Sequence, residues 1–194
     1  WGYGHPAVLT AVEFERLLSG TGPTGGKLNR PGDGKPVRKI AWIQCVGSRN
    51  ALRPYCSKSC CTHSIQSAIK LKKEMPSRRI YILYRDIRTY GQRERIYNQA
   101  REMGIIFINY EEHGPPEVSR EGEGVLVRVW DHVLHRPLEI PADMVILASA
   151  TLASPDMGEL ASLFRLPLSA DGFFQEAHAK LRPVEFHVDG VFVA

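Results

Sequence analysis

The stretch Ile40-Ala-Trp-Ile-Gln-Cys45 decides the fold, because it is a nearly continuous apolar run that stops at a cysteine. A run of this kind is typical of a strand that is buried on both faces of a parallel sheet. Three similar runs lie further along the chain, at Arg79-Ile-Tyr-Ile-Leu-Tyr84, Ile105-Ile-Phe-Ile-Asn-Tyr110 and Asp143-Met-Val-Ile-Leu-Ala148. We therefore expect four buried strands.

Segments with helical periodicity separate the first three of these runs. Residues 61–74 show this periodicity before Pro76 stops the helix, and residues 93–103 show it before Gly104. A shorter helix is predicted at residues 7–18. Strands that alternate with helices indicate a parallel sheet with helices packed against it.

The predicted fold class is therefore α/β, a Rossmann-like parallel sheet with helices on both faces. Residues 124–130 and 136–140 predict a hairpin, which forms a small antiparallel insert before the last strand. Because the chain begins at Trp1 and stops inside a strand-like run, we expect an internal fragment of a longer protein. Three parts are predicted: a flanking segment with a Gly/Pro-rich linker (1–36), the Rossmann-like domain (37–150) and a return segment (151–194).

The composition is that of an ordinary soluble domain, with 43% hydrophobic and 24% charged residues and a formal net charge of +4. Lys and Arg are scattered among Asp and Glu, so no basic face for nucleic acid is predicted. No apolar run approaches the roughly 20 residues that span a bilayer. No membrane span is expected.

All four cysteines fall between residues 45 and 61, in the pattern Cys45-x10-Cys56-x3-Cys60-Cys61. A disulfide framework would spread its cysteines along the chain, so this clustering indicates a metal or redox site in a reducing compartment, which places the protein in the cytoplasm. Cys45 ends the first strand, and the adjacent pair opens the first helix. The thiols are therefore expected to converge on a strand-to-helix crossover, where doubly wound folds bind ligands.

Three occupants remain open from the residues alone. Iron–sulfur clusters tolerate varied spacing, because each thiolate reaches a different iron. Structural zinc usually takes CxxC knuckles, which this chain lacks, and a redox dithiol would also be a CxxC. Basic residues near the cysteines would raise the reduction potential of a cluster, and the candidates are Arg49, Arg53, Lys58, Arg85 and Arg88. His63 is given a supporting or solvated role.

A nicotinamide site is not predicted. Its fingerprint needs GxGxxG at the first crossover, and the chain has a single glycine there, Gly47. Asp86 is the only match to the acidic residue that follows the second strand in such sites. The cysteine motif takes the place where the pyrophosphate would lie.

The segments Trp42-Ile-Gln-Cys-Val-Gly-Ser-Arg49 and Tyr55-Cys-Ser-Lys-Ser-Cys-Cys61 resemble the A subunit of heterodisulfide reductase and its relatives. Those relatives include the corresponding subunit of the quinone-interacting oxidoreductase of sulfate reducers. Tyr3-Gly-His-Pro6, Gly22-Pro-Thr-Gly-Gly26 and Tyr84-Arg-Asp-Ile-Arg88 match as well, so the resemblance covers nearly the whole chain.

The resemblance implies an oxidoreductase subunit with a thioredoxin-reductase-like fold, in which residues 37–150 take the position of the pyridine-nucleotide domain. It implies electron relay between FAD and a [4Fe–4S] cluster, within a complex that includes other heterodisulfide-reductase-type subunits and iron–sulfur or flavin carriers. By the resemblance, the cluster ligands are Cys45, Cys56, Cys60 and Cys61. The alternative is a non-catalytic interaction domain with structural zinc or free thiols at the same cysteines.

The resemblance also implies that residues 1–36 and 151–194 belong to an FAD-binding domain. The main flavin fingerprint of the family would precede Trp1. Within the chain, the candidates for flavin contact are Thr151, Asp189 and Gly190. We therefore expect the longer protein to bind FAD and this fragment alone to be inactive and to hold none.

Overall fold

A computed structural model describes residues 1–30 and 33–193. Positions 31 and 32 of the predicted Gly/Pro linker and residue 194 of the predicted return segment lie outside the described residues. The chain divides into two compact units, Trp1–Ala150 and Thr151–Ala194. The predicted assignment of residues 1–36 and 151–194 to a flavin-binding domain stays a prediction.

The first unit is built on a five-stranded parallel sheet in the order β1-β8-β2-β3-β4. Its strands are β1 (Val8–Thr10), β2 (Lys39–Val46), β3 (Arg79–Tyr84), β4 (Ile106–Asn109) and β8 (Met144–Ser149). The helices are α1 (Ala11–Leu18), α2 (Cys60–Glu74) and α3 (Glu94–Glu102). A second sheet is antiparallel and consists of β5 (Glu117–Glu121), β6 (Gly124–Asp131) and β7 (Arg136–Ala142). The four predicted strands, the hairpin and the two central helices are confirmed, but β4 lies at the sheet edge and is not buried, since Ile106 is 45% exposed.

The two faces of the parallel sheet are covered by different layers. Side chains of β2 alternate between the faces, so Ile40 and Trp42 join one core cluster with the helices, while Ala41 and Ile43 join another with β6 and β7. Phe14 of α1 packs edge-to-face on Trp42, with ring centroids 5.3 Å apart. The parallel sheet and its antiparallel insert are confirmed, but the expectation of helices on both faces needs correction, since the described helices of this unit share one face.

Connection handedness explains the correction. Strands β1, β2, β3 and β4 follow one another in a single direction across the sheet. Right-handed crossovers between parallel strands then place α1, α2 and α3 on the same side. The return from β4 to β8 runs in the opposite direction, so the antiparallel sheet inserted there reaches the other face.

The helix predicted at residues 7–18 begins later, at Ala11. Val8–Thr10 instead forms β1, which pairs with β8 at the sheet edge. Thr10 ends this strand as the N-cap of α1: its hydroxyl accepts from the N–H of Glu13, and the Glu13 carboxylate accepts from the N–H of Thr10. This capping box fixes the helix start.

The second unit contains α4 (Met157–Phe164), which the sequence did not predict. The strand-like run at the end of the chain forms only an isolated bridge, Glu185 with Phe192, in the part that the structure describes. Across residues 1–30 and 33–193, no helix combines the length and the apolar character needed to cross a membrane.

Candidate metal centre

The four cysteines lie at the carboxyl end of β2 and at the start of α2. Cys45 is the penultimate residue of β2, Cys56 lies in the loop that follows, and Cys60 and Cys61 are the first two residues of α2. The parallel strands β8 and β3 flank β2, and β4 lies beyond β3, so their carboxyl ends meet at the same edge of the sheet. The sequence thus folds the motif onto the edge where open α/β sheets bind ligands.

The backbone around the cysteines takes conformations that L-residues rarely adopt. Cys45, Arg49 and Lys58 have φ angles of 59°, 58° and 61°. The register of β2 on β8 shifts between Ile43 and Val46, so Cys45 lies in a bulge. Left-handed non-glycine residues cost on the order of 1–3 kcal/mol each and concentrate at functional sites. Three of them within 14 residues make this loop a candidate for ligand binding.

Burial and mutual repulsion both act on the thiols. Cys61 is buried and the other three are half-buried, and none forms a disulfide. Burial raises the pKa of Cys45 and of Cys60, and it raises the pKa of Cys61 to about 11. Charge on each of the other three cysteines raises the pKa of Cys61 further. Charge on Cys56 also raises the pKa of Cys45, and charge on Cys56 and Cys45 raises that of Cys60. The four sulfur atoms therefore lie in one small region. Four thiolates could coexist there only if positive charge, such as that of bound metal ions, offset their repulsion.

Donors and cations already face this set. The N–H of Lys58 donates to Cys56 Sγ at 3.3 Å, and Arg49 Nη1 lies 3.9 Å from Cys45 Sγ. The first turn of α2 contributes the positive end of its dipole to Cys60 and Cys61. An anionic group held by four thiolates would be stabilised by these contacts, so the donor set fits an iron–sulfur cluster.

Arg49 belongs to a chain of ion pairs across three strand ends. Its Nη2 lies 2.5 Å from Asp86 Oδ2, and Arg88 contacts the same oxygen at 3.2 Å. Although desolvation opposes it, the charges of Arg49 and Arg88 lower the pKa of Asp86. Arg85 donates to the carbonyl of Arg49 at 2.6 Å and pairs with Glu112 at 2.7 Å. The side chain of Arg49 is only 15% exposed, which limits solvent screening of its charge.

A pocket of about 160 Å³ opens beside Cys45. Its lining includes Arg85, Tyr110 and Glu112. Burial raises the pKa of Tyr110, and its hydroxyl donates to the carbonyl of Gln44 at 2.5 Å. The pocket therefore borders the cysteines on the side of β3 and β4.

Gln44, which precedes Cys45, is a buried polar residue next to the motif that the sequence reasoning missed. Its side chain has 0% exposure, and neither Nε2 nor Oε1 has a hydrogen-bond partner within the described part of the chain. Thr62 Oγ1, in the first turn of α2, is also buried without a partner there. The sequence feature that could have indicated Gln44 is that it is the single polar residue inside the apolar run 40–46.

The remaining predicted residues divide between the two units. Arg49, Arg85 and Arg88 lie in the ion-pair chain, whereas Lys58 and His63 are exposed and Arg53 is half-buried. Thr151, Asp189 and Gly190 lie in the second unit, and their flavin role stays a prediction. Within residues 1–30 and 33–193, no group of three or more His, Cys, Asp or Glu side chains is arranged so that it could hold a metal ion. The structure thus gathers the four cysteines without forming a finished single-ion site, and their ligand role stays a prediction.

Comparison with known proteins gives consistent relatives along the entire chain. It is 42% identical over 202 residues to the iron–sulfur A subunit of the CoB–CoM heterodisulfide reductase of Methanocaldococcus jannaschii, covering 100% of this chain and 30% of that protein. Over 201 residues it is 39% identical to the A subunit of the H(2)/formate:CoB-CoM heterodisulfide,ferredoxin reductase of Methanococcus maripaludis, with the same coverage. The chain therefore spans about 30% of the length of these curated relatives. No protein-family model matches it.

Among solved structures, a thioredoxin reductase of T. acidophilum matches 99% of this chain and 49% of its own, with a TM-score of 0.51 and 12% identity. At that identity the likeness concerns the fold alone. It confirms the predicted thioredoxin-reductase-like, Rossmann-like architecture.

Proposed function

The chain belongs to the family of heterodisulfide reductase A subunits, and on that premise we propose that it holds one [4Fe–4S] cluster in an electron-relaying oxidoreductase subunit. The proposed ligands are Cys45, Cys56, Cys60 and Cys61. The observation that carries the proposal is the gathering of these four thiols between the end of β2 and the start of α2, where charge on Cys45, Cys56 and Cys60 raises the pKa of Cys61. When bound, such a cluster accepts and donates single electrons.

The surrounding residues have two tasks in this proposal. The strained loop and the first turn of α2 hold the thiols on separate elements, so that they can approach a polynuclear centre from different sides. Arg49, the Lys58 N–H and the dipole of α2 stabilise negative charge on the sulfur atoms. These contacts favour the reduced, more negative state and raise its potential.

The names of the relatives favour iron over the zinc alternative. The M. jannaschii relative is named as an iron–sulfur subunit. Adjacent cysteines such as Cys60 and Cys61 also suit a centre with several metal ions better than one tetrahedral ion. We therefore rank a structural zinc domain below the cluster.

The whole-protein role extends beyond these residues. We place most of the FAD-binding surface of the longer protein outside this chain, with Thr151, Asp189 and Gly190 as its contacts within it. We further propose that the protein works in the cytoplasm. Its proposed partners are other heterodisulfide-reductase-type subunits and iron–sulfur or flavin carriers, because the relatives are named as subunits. The purified chain should show no flavin absorbance, and stoichiometric FAD in the preparation would contradict this part.

Anaerobic reconstitution of the chain with iron and sulfide tests the cluster. We expect about four iron and four acid-labile sulfide per chain, and an EPR signal on reduction with dithionite. Cys56→Ala should lose the four-iron signal, because alanine has no donor atom and the sequence contains no spare cysteine. Ser59→Ala, a matched control in the same loop, should keep it.

Metal content separates the alternatives. One zinc per chain and no sulfide in anaerobically prepared protein would replace the cluster with the structural-zinc domain. A full cluster in Cys56→Ala would show that this thiol is not a ligand.

A further inference from the structure

Gln44 combines complete burial with unused hydrogen-bonding groups. Of the five glutamines in the sequence, the other four, Gln66, Gln92, Gln99 and Gln175, are exposed. Gln44 has 0% exposure, and both polar atoms of its side chain lack partners in the part of the chain that the structure describes. Its main-chain carbonyl, by contrast, is paired with the Tyr110 hydroxyl.

The strand pattern places this side chain on the helix side of the sheet. Ile40 and Trp42 pack into the cluster that contains α2, and side chains two residues apart on a strand share a face. Gln44 is the next residue in this series and precedes the positive φ angle of Cys45 in the bulge, so we take the alternation to continue through it. In a right-handed strand–helix–strand crossover, the following helix begins at the carboxyl end of the strand, and here it begins with Cys60 and Cys61. This placement would bring the Gln44 side chain towards the start of α2, where the cysteine motif lies.

A primary amide in this position is costly unless it finds an acceptor. Buried polar groups are almost always hydrogen-bonded, and an apolar residue of similar shape would avoid the cost entirely. Its neighbours on the helix side, such as Ile40 and Trp42, are apolar. Candidate acceptors on the same side of the sheet are the sulfur atoms of Cys60 and Cys61 at the start of α2, once they are negatively charged.

We propose that Gln44 is a positioning residue whose side-chain amide donates hydrogen bonds to the sulfur atoms of the bound cluster, an inference that rests on the function proposed above. The amide would stabilise the additional negative charge of the reduced state. It is a tuning contact and takes no part in holding the metal.

The test compares Gln44→Met with Gln66→Met in the same chain. Methionine keeps the length of the side chain and removes the amide, and Gln66 offers the same chemical change on the exposed side of α2. After anaerobic reconstitution, we expect Gln44→Met to shift the reduction equilibrium about tenfold towards the oxidised state, which equals about 59 mV for one electron. Gln66→Met should leave the potential unchanged.

In the metal-free chain, the same substitution is not expected to be unfavourable. Without the cluster the amide has no acceptor, so Gln44→Met should unfold at the same or a higher urea concentration than the unaltered chain. A purely structural glutamine, bonded to Thr62 or to a buried water, would instead lower the midpoint of the metal-free chain and leave the potential unchanged. That pair of results would overturn the inference.

A second measurement needs no substitution. With ¹⁵N-labelled glutamine side chains, pulsed EPR of the reduced, unaltered chain should show hyperfine coupling to one nitrogen, since the other four glutamines are exposed. Absence of coupling in a fully loaded sample would refute the contact. Failure of the unaltered chain to take up iron and sulfide would instead remove the proposed function itself, so the two failures are distinguishable.

Discussion

Replacing Arg49 with glutamine tests whether the ion-pair chain sets the charge balance of the centre. The guanidinium is close to Cys45 Sγ, at 3.9 Å, and its side chain is 15% exposed. Glutamine keeps a polar side chain and carries a Cβ as arginine does, so the backbone cost of the 58° φ angle is retained. The substitution therefore removes mainly one positive charge.

The expected size follows from Coulomb's law. Two unit charges about 4 Å apart interact with about 4 kcal/mol at an effective dielectric constant of about 20. Asp86 offsets part of this field, because its carboxylate lies 2.5 Å from the same guanidinium. The electron added on reduction is spread over the whole cluster. The charge of Arg49 therefore stabilises the reduced state over the oxidised state by only about 1 kcal/mol. We expect the midpoint potential to fall by roughly 30–80 mV in Arg49→Gln, since 59 mV corresponds to a tenfold change for one electron.

Potentiometric titration of the reconstituted chain, followed by EPR, measures this shift. Asp86→Asn should move the potential in the opposite direction, because it removes a negative charge from the same pair. Arg120→Gln makes the same charge change on an exposed residue of β5 and should have no effect. Equal potentials in the unaltered chain and in Arg49→Gln would refute the electrostatic reasoning, as would a shift of equal size in Arg120→Gln.

Three further substitutions test the scaffold of the metal-free chain by urea unfolding. Tyr110→Phe should destabilise it by about 1–3 kcal/mol, because it leaves the buried carbonyl of Gln44 without its donor; unchanged stability would mean that the hydroxyl is not bonded there. Arg78→Met should cost about 2–4 kcal/mol, since the buried guanidinium donates to two main-chain carbonyls, one of them in α2. Thr10→Ala should cost about 1 kcal/mol through loss of the N-cap of α1, and Thr10→Ser should restore most of it.

The elements around the site could be predicted from the sequence because their signals are local. Apolar runs of five or six residues predicted β2, β3, β4 and β8, and the periodicity of residues 61–74 predicted α2. These elements also predicted where the cysteines lie, because Cys45 is at the end of a predicted strand and Cys60 is at the start of a predicted helix. Local sequence patterns could not predict an element whose pairing partner lies far along the chain. The three-residue strand β1 is an example, because it pairs with β8 more than 130 residues later.

The arrangement of layers was also beyond a local pattern. An apolar run shows that a strand is buried on both faces, but it does not show what covers each face. Strand order determines which face each connection covers, because crossovers between parallel strands are right-handed. The strand order is known only from the structure, in which β8 lies between β1 and β2. For that reason the expectation of helices on both faces was wrong, although the sheet itself was right.

For the cysteine motif, the sequence by itself determined the thiols, their spacing and the strand-to-helix crossover that carries them. The tertiary structure alone decided what surrounds them: the Arg49–Asp86 pair, the positive φ angle of Cys45 and the buried amide of Gln44. Charge and burial at the motif depend on side chains at the ends of β3 and β4 and on α2, which come near the end of β2 only when the sheet is folded. Periodicity along one strand carries no information about such neighbours.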